Sequence, residues 1–174
     1  MRLSYGIILA FCVVAFLYGC RKDKNASGTD NSVIDFRLET LRHERFYLNQ
    51  YRGKVVVLTF WSTWCTVCKS EMVELKSFAA APEYKNIVVA AVCNDPENID
   101  DVKTIVQALD INYPVLLDKK ANVFKKLKMS AVPTTIVIDQ SGKISLTRQG
   151  YDANIKKQIK TSVESLLAVE RSSR

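Results

Sequence analysis

Val55-Val56-Val57-Leu58-Thr59-Phe60-Trp61-Ser62-Thr63-Trp64-Cys65-Thr66-Val67-Cys68-Lys69 is the stretch that decides how this chain is read. An apolar, β-branched run ends in two cysteines three positions apart. Valine packs well on a pleated surface and loses rotamer freedom in a helix, so the run predicts a strand. Ser70 to Phe78 follows at once, with Met72, Leu75 and Phe78 at helical spacing. Cys65 therefore falls where a strand meets a helix N-terminus, and Cys68 one turn in.

That placement sets the chemistry. Free N–H groups and the positive end of the helix dipole favour thiolate over thiol at Cys65. The i, i+3 spacing brings Cys68 within reach of it. A thiolate with a resolving thiol beside it exchanges dithiols with disulfides. Half of a zinc site is the competing reading of C-x-x-C, but beyond the N-terminal segment only Cys93 and His43 remain to complete it. The flanking strand and helix favour redox chemistry.

Phe60 to Cys68 resembles the active-site run of the thioredoxin superfamily. Asp35-Phe36-Arg37-Leu38, with Leu48-Asn49-Gln50-Tyr51-Arg52-Gly53-Lys54-Val55-Val56-Val57, is similar more narrowly to the membrane-tethered TlpA/ResA-like thiol–disulfide oxidoreductases. The likeness covers about residues 33 to 168, with separated motifs in the family's order. It implies an α/β, thioredoxin-like fold with an N-terminal β-hairpin extension and an inserted strand–helix element.

The resemblance also assigns roles. Cys65 attacks a substrate disulfide and Cys68 resolves the mixed disulfide. Pro133, in Met129-Ser130-Ala131-Val132-Pro133-Thr134-Thr135-Ile136-Val137-Ile138-Asp139, matches the family's cis proline, and Val132 offers its backbone to an extended partner. Trp61, Trp64, Val132 and Pro133 then form an apolar rim, with Gly150 beside the groove. Many thioredoxins hold a buried carboxylate six residues before the first cysteine. Thr59 stands there, and a hydroxyl is no base near neutral pH, so the Cys68 proton must leave by water or another acid. In the TlpA/ResA-like group a glutamate from a loop can lie near the cysteines; Asp95 or Glu97 are the candidates, with capping or turn formation as their plainer jobs. Val67 stands where the family often has proline. Thr66 either donates toward Cys65 or caps a backbone group.

In chain order, Met1 to Tyr18 has a charged start and an apolar middle, as a secretory signal does. Leu17-Tyr18-Gly19-Cys20 resembles a bacterial lipobox, which implies cleavage after residue 19 and a lipid on Cys20; a signal kept as an anchor is the alternative. Either reading tethers the domain outside the cytoplasm, facing the periplasm in a Gram-negative cell. Residues 20–32 read as a polar leash, whose eleven or so flexible residues reach roughly 20–35 Å. The domain is expected over residues 33–170, and 171–174 as a frayed tail. Its first strand is expected over Val33 to Leu38, a second over Phe46 to Leu48, and a charged turn between them carries His43, the lone histidine. Asn86 to Cys93 reads as a strand buried on both faces. Cys93 is either a small buried strand-end residue or a third thiol near the site. A helix over Ile99 to Leu109, a strand over Tyr113 to Asp118 and a helix over Lys119 to Lys128 make the inserted unit. Gln140 to Lys143 turns a hairpin, and Asp152 caps a final helix.

Five cysteines without repeated spacing exclude a disulfide scaffold. The formal charge of +7 is spread along the chain and lacks the aromatic interleaving of a nucleic-acid binder. No cofactor or metal is expected beyond the Cys65–Cys68 disulfide itself. Expected partners are cysteine-bearing exported proteins, an upstream membrane or envelope thiol donor, and the membrane through the lipid. Reduction, as in cytochrome c maturation, is the expected direction. Two other classes stand beside this reading: a peroxiredoxin-like thiol peroxidase, which shares the Asp35-Phe36 to Lys54 pattern, and a metal carrier or adaptor without turnover. The peroxidase lacks its orienting proline and threonine here. The copper-carrier pattern needs three residues between cysteines and a later histidine.

Overall fold

A computed structural model describes residues 33–172. The signal segment, Cys12, Cys20 and the leash lie outside the described residues. The elements run β1 (Arg37–Thr40), β2 (Arg45–Tyr47), β3 (Val55–Trp61), α1 (Thr66–Ala80), β4 (Ile87–Cys93), α2 (Ile99–Ala108), β5 (Val115–Leu117), α3 (Asn122–Lys126), β6 (Thr134–Ile138), β7 (Ile144–Gln149) and α4 (Ala153–Ser172). The strands form one mixed sheet in the order β2-β1-β5-β4-β3-β6-β7.

β3 owes its place to composition. All seven of its residues are buried, which an unbroken Val-Val-Val-Leu run tolerates and a half-polar strand would not. It pairs in parallel with β4 and antiparallel with β6. Because side chains alternate, its odd and even positions feed two different cores. Val55, Val57 and Trp61 join Met72, Leu75 and Phe78 of α1, Val102 of α2, and Ile159, Val163 and Leu167 of α4. Val56, Leu58 and Phe60 join Ile34, Phe46, Leu48 and Val123 on the opposite face. Fully burying one such aliphatic side chain stabilises the fold by about 1.5–3 kcal/mol, so this double-sided burial fixes the sheet's centre. The C-terminal ends of β3 and β4 then lie side by side, with Trp61 opposite Cys93.

The expected hairpin is present: β1 and β2 pair antiparallel, and β1 continues onto β5. The first strand starts later than expected. Val33 instead makes a lone bridge to Lys143, and the Ile34 N–H donates to the Gly142 carbonyl, so the entering chain is held by the β6–β7 turn. Glycine is required at 142 because its φ is +89° and the Arg52 guanidinium occupies the space a Cβ would need. Leu48 leaves the second strand to open a 3-10 turn over Leu48–Tyr51. His43 sits exposed in the hairpin turn, its Nδ1 2.8 Å from Glu39 Oε1, with β5 and β4 lying between its hairpin and β3.

The inserted unit follows β4 as expected, with β5 parallel to β4. Its second helix is shorter than its lysine-rich sequence suggests. Lys120 and Ala121 have positive φ, and α3 begins only at Asn122. The cause is Asp118, a buried carboxylate that accepts from Val123 N at 3.0 Å and Phe124 N at 2.9 Å. A carboxylate satisfying two first-turn amides fixes the start of the helix. α4, capped by Asp152 on Ile155 N, continues to Ser172, past the boundary expected at 170. Among the described residues no helix is long and apolar enough to cross a membrane.

Asp118→Ala should orphan both α3 amides inside the fold. Urea unfolding should show a loss of about 1–2 kcal/mol, whereas Asp118→Asn should recover part of it.

Candidate active site

β3 ends at Trp61, and the chain turns once before α1. The turn is closed by Cys65 N–H donating to the Ser62 carbonyl at 3.0 Å. Cys65 is the N-cap of α1: its Sγ accepts from the Cys68 amide at 3.2 Å. The two cysteines are joined as a disulfide. Cys65 is nearly buried and Cys68 fully so, which leaves the first sulfur as the one an incoming partner reaches. An N-cap sulfur that already receives an amide N–H is placed to hold negative charge once the disulfide opens.

Beneath the disulfide is a group absent from the sequence reading. Glu71, one helical turn past Cys68 and on the same helix face, is completely buried. Thr59 Oγ1 donates to its Oε2 at 2.7 Å and Thr135 Oγ1 to its Oε1 at 2.5 Å. The two threonines are direct cross-strand partners in the β3–β6 ladder, so adjacent strands present both hydroxyls to one carboxyl. Burial pushes the Glu71 carboxyl above its ordinary value, and the two hydroxyl donors hold it partly back. Burial likewise raises Tyr113, whose hydroxyl donates to the Met72 carbonyl at 2.7 Å, and raises Tyr151 to about 12; the Glu71 charge adds to both. Thr59 thus marks the place of a carboxylate after all, by carrying one from the helix. The signal was in the spacing: Cys68, Glu71, Met72, Leu75 and Phe78 make one continuous stripe.

Several expected site residues stand elsewhere than the resemblance implied. Trp61 is fully buried, because β3 is covered on both faces and position 61 packs with 55 and 57 into the core under α1. It cannot form part of a rim, and its Nε1 has no hydrogen-bond partner among the described residues. Trp64, 72% exposed, and Val67, 42% exposed, flank Cys65 on the surface instead. Thr66 opens α1 with its side chain exposed, and the donor to Cys65 is the Cys68 amide. Glu97 is exposed on the loop after β4, so the buried carboxyl of the site is Glu71. Asp95, the other candidate, binds the turn before Cys65: its carboxylate accepts from Thr63 N at 3.0 Å and from Thr63 Oγ1 at 2.9 Å.

Cys93 is buried at the end of β4 and donates its thiol to Asp95 Oδ1 at 3.3 Å. Burial, with the neighbouring carboxylates, pushes that thiol far above its ordinary value, so it stays protonated and acts as a hydrogen-bond donor. The Val132–Pro133 peptide is cis. Val132 is half-buried and lies outside the β6 ladder, which starts at Thr134. Pro133 is buried, and its carbonyl accepts from Gly150 N at 2.8 Å. Gly150 needs its freedom for the φ of +78° that makes this contact; a Cβ there would meet nothing closer than Ile155 Cδ1 at 3.9 Å.

The AhpC/TSA family model matches residues 29–147. The thiol-disulfide oxidoreductase ResA of Halalkalibacterium halodurans is 31% identical over 155 residues, covering 86% of this chain and 85% of that protein. ResA of Geobacillus thermodenitrificans is 29% identical over 144 residues, covering 83% and 81%. Among solved structures, one described as the thiol:disulfide interchange protein DsbE of Chlorobium tepidum superposes with a TM-score of 0.73 at 24% identity, covering 79% of this chain and 96% of that one. The exposed lipoprotein thioredoxin Etrx1 of Streptococcus pneumoniae gives 0.64 at 28% identity, covering 76% and 100%. The chain belongs to the AhpC/TSA family and, within it, to the ResA-type thiol–disulfide oxidoreductases with a thioredoxin-like fold.

Glu71 makes stability depend on pH in a defined sense. Between the ordinary carboxyl value of 4.5 and its raised one, the folded chain holds a proton that the unfolded chain has lost. Its contribution is therefore fully present below the unfolded value and is lost as pH rises through the folded one. Chemical unfolding across that window should show stability falling with pH in the oxidised protein, and Glu71→Gln should flatten the slope.

Proposed function

We propose that this enzyme works outside the cytoplasm, tethered to a membrane through its N-terminal segment, and reduces disulfides in exported proteins, with cytochrome c maturation as the setting. The observation that carries the exchange reading is Cys65 at the N-cap of α1, bonded to Cys68 and standing one turn from a buried carboxyl. In the reduced enzyme the Cys65 thiolate attacks one sulfur of a substrate disulfide, and the other substrate sulfur leaves as a thiolate that takes a proton from solvent. Cys68 then gives its proton to Glu71 and attacks Cys65 Sγ. The substrate's second sulfur departs, and the Cys65–Cys68 disulfide forms with two electrons passed to the substrate. An envelope thiol donor returns those electrons. The redox equivalents reside in the two sulfurs, with no further cofactor in the scheme.

Glu71 suits the proton step because its surroundings leave it two hydroxyl donors and no cationic partner in the hydrogen bonds it makes. A carboxyl raised above its ordinary value accepts a proton more readily than an ordinary one. Trp64, Val67 and Val132 supply apolar surface around Cys65, and the Val132 backbone, outside any ladder, is available to an extended segment of the partner. Pro133 and Gly150 shape that edge from behind. Cys20 carries the lipid in this reading, which the lipobox-like Leu17-Tyr18-Gly19-Cys20 supports.

Cys68→Ala, expressed in the native envelope, should accumulate mixed disulfides through Cys65 with cysteine-bearing exported proteins, whereas Cys65→Ala should accumulate none; no adducts in either would remove the exchange reading. Glu71→Gln should slow release of product from the mixed disulfide by about 10²-fold, the lower end of general acid–base effects, in a stopped-flow assay that leaves the first attack unchanged. Fractionation should find the wild type with membranes and Cys20→Ala released, and a wholly soluble wild type would rule out the tether.

A further inference from the structure

The loop after β4 is bound to the active-site turn through its first two residues, Asn94 and Asp95. Asn94 N–H donates to the Trp61 carbonyl at 3.0 Å. Ser62 Oγ donates to Asn94 Oδ1 at 2.5 Å. Both oxygens of Asp95 accept from Thr63 N, at 3.0 and 3.1 Å, and Oδ2 also accepts from Thr63 Oγ1 at 2.9 Å. Cys93 Sγ donates to Asp95 Oδ1 at 3.3 Å from behind, and the Cys93 carbonyl is itself fixed by Asp118 N at 2.8 Å. The reaction scheme uses none of these groups. A charged acceptor taking four contacts, one from a buried thiol, is more than an exposed loop needs.

We propose that Asp95 is a positioning residue for the exchange reaction: it holds the Ser62–Trp64 turn so that the Cys65 sulfur stays seated on the Cys68 amide of α1, with the Cys93 thiol as the latch that orients the carboxylate. The argument rests on the proposed role of Cys65 and concerns what keeps its thiolate stable. Cys65 caps the helix from outside: its carbonyl accepts from Lys69 N and its sulfur from Cys68 N, while the turn behind it sets the approach of its backbone. That turn has one internal bond, from Cys65 N to the Ser62 carbonyl. The remaining restraints come from Asn94 and Asp95. Charge-assisted hydrogen bonds are roughly twice as strong as neutral ones, so Asp95 outweighs Asn94. Its negative charge opposes a thiolate nearby, while its hydrogen bonds favour one by fixing the sulfur on its donors. These two effects have opposite signs and are separable by substitution.

The test uses the full-length reduced protein, alkylated with iodoacetamide from pH 5 to 10, with modification of the Cys65 peptide followed by mass spectrometry so that the other cysteines do not contribute. Asp95→Ala should react about 3- to 10-fold more slowly at pH 7, its profile displaced to higher pH because the thiolate has lost its donors. Asp95→Asn keeps an acceptor for Thr63 N–H without the charge, and should restore the wild-type profile or move it to lower pH. Coincident profiles for wild type and Asp95→Ala would overturn the proposal, as would Asp95→Asn behaving like Asp95→Ala. Should Asp95→Ala not fold, Thr63→Ala, which removes one of the contacts, should still slow the reaction about 2-fold, and an unchanged rate there overturns it. A parallel assay of disulfide reduction in a test peptide, driven by dithiothreitol, keeps the two readings apart. Wild type inactive there speaks against the proposed function, whereas wild type active with matching alkylation profiles speaks against Asp95 alone.

Discussion

A carboxyl group with no water beside it must be satisfied by the protein or stay protonated, and this fold is built around one. Glu71 has two threonine hydroxyls for partners, from directly opposed residues of β3 and β6. An isolated buried carboxylate would cost several kcal/mol, and two neutral donors offset only part of that. The balance leaves the group above its ordinary value, burial outweighing the two hydroxyls. For that balance to hold, α1 must lie on the sheet at one height, because a shift of one residue would take Glu71 off both hydroxyls. The polar contact thereby sets the register of the helix, while Met72, Leu75 and Phe78 supply the adhesion.

That register carries consequences for the sulfur chemistry. The helix that places Glu71 beneath the sheet's surface also places Cys68 one turn earlier, inside, and Cys65 at its cap, nearer the surface. The asymmetry between the two cysteines thus follows from helix geometry. One sulfur caps the helix on the Cys68 amide, and the other is buried one turn from the Glu71 carboxyl. A dithiol exchanger needs this division, since the attacking thiol must ionise readily while the resolving thiol must wait until a mixed disulfide exists.

Much of this was legible in the chain, and the failures have a common origin. The β3 run, the cysteine pair, Pro133, the hairpin and the inserted unit all rest on local patterns: β-branched composition, i, i+3 spacing, turn residues. Trp61 and Glu71 are the two positions where residue type alone misleads. Position 61 ends a strand that is covered on both faces, and so is interior whatever the family's rim contains. Position 71 lies on the stripe of 68, 72, 75 and 78, but a glutamate among helix residues suggests solvent. Only a partner on another strand makes it tolerable inside, and the pairing of Thr59 with Thr135 spans 76 positions of sequence. No local window contains it. The short α3 has the same character, since it depends on a carboxylate four residues upstream that a lysine-rich pattern hides.

Two carboxyl groups therefore frame the disulfide from different depths, and burial decides what each can do. Glu71, buried and bonded only to neutral hydroxyls, binds a proton more readily than an ordinary carboxylate, so it suits a step in which a proton moves. Asp95, half-buried and bonded to an amide, a hydroxyl and a thiol, is tied to two neighbouring segments at once, so it suits holding the chain still. Exchanging their surroundings would exchange their uses. The sheet makes both available at one place because β3 and β4 run parallel and end together: the loop from one reaches the turn from the other without an intervening strand. A sheet with those two strands antiparallel would put Asn94 and Asp95 at the far end. Cys65 would then rest on its helix with nothing behind it.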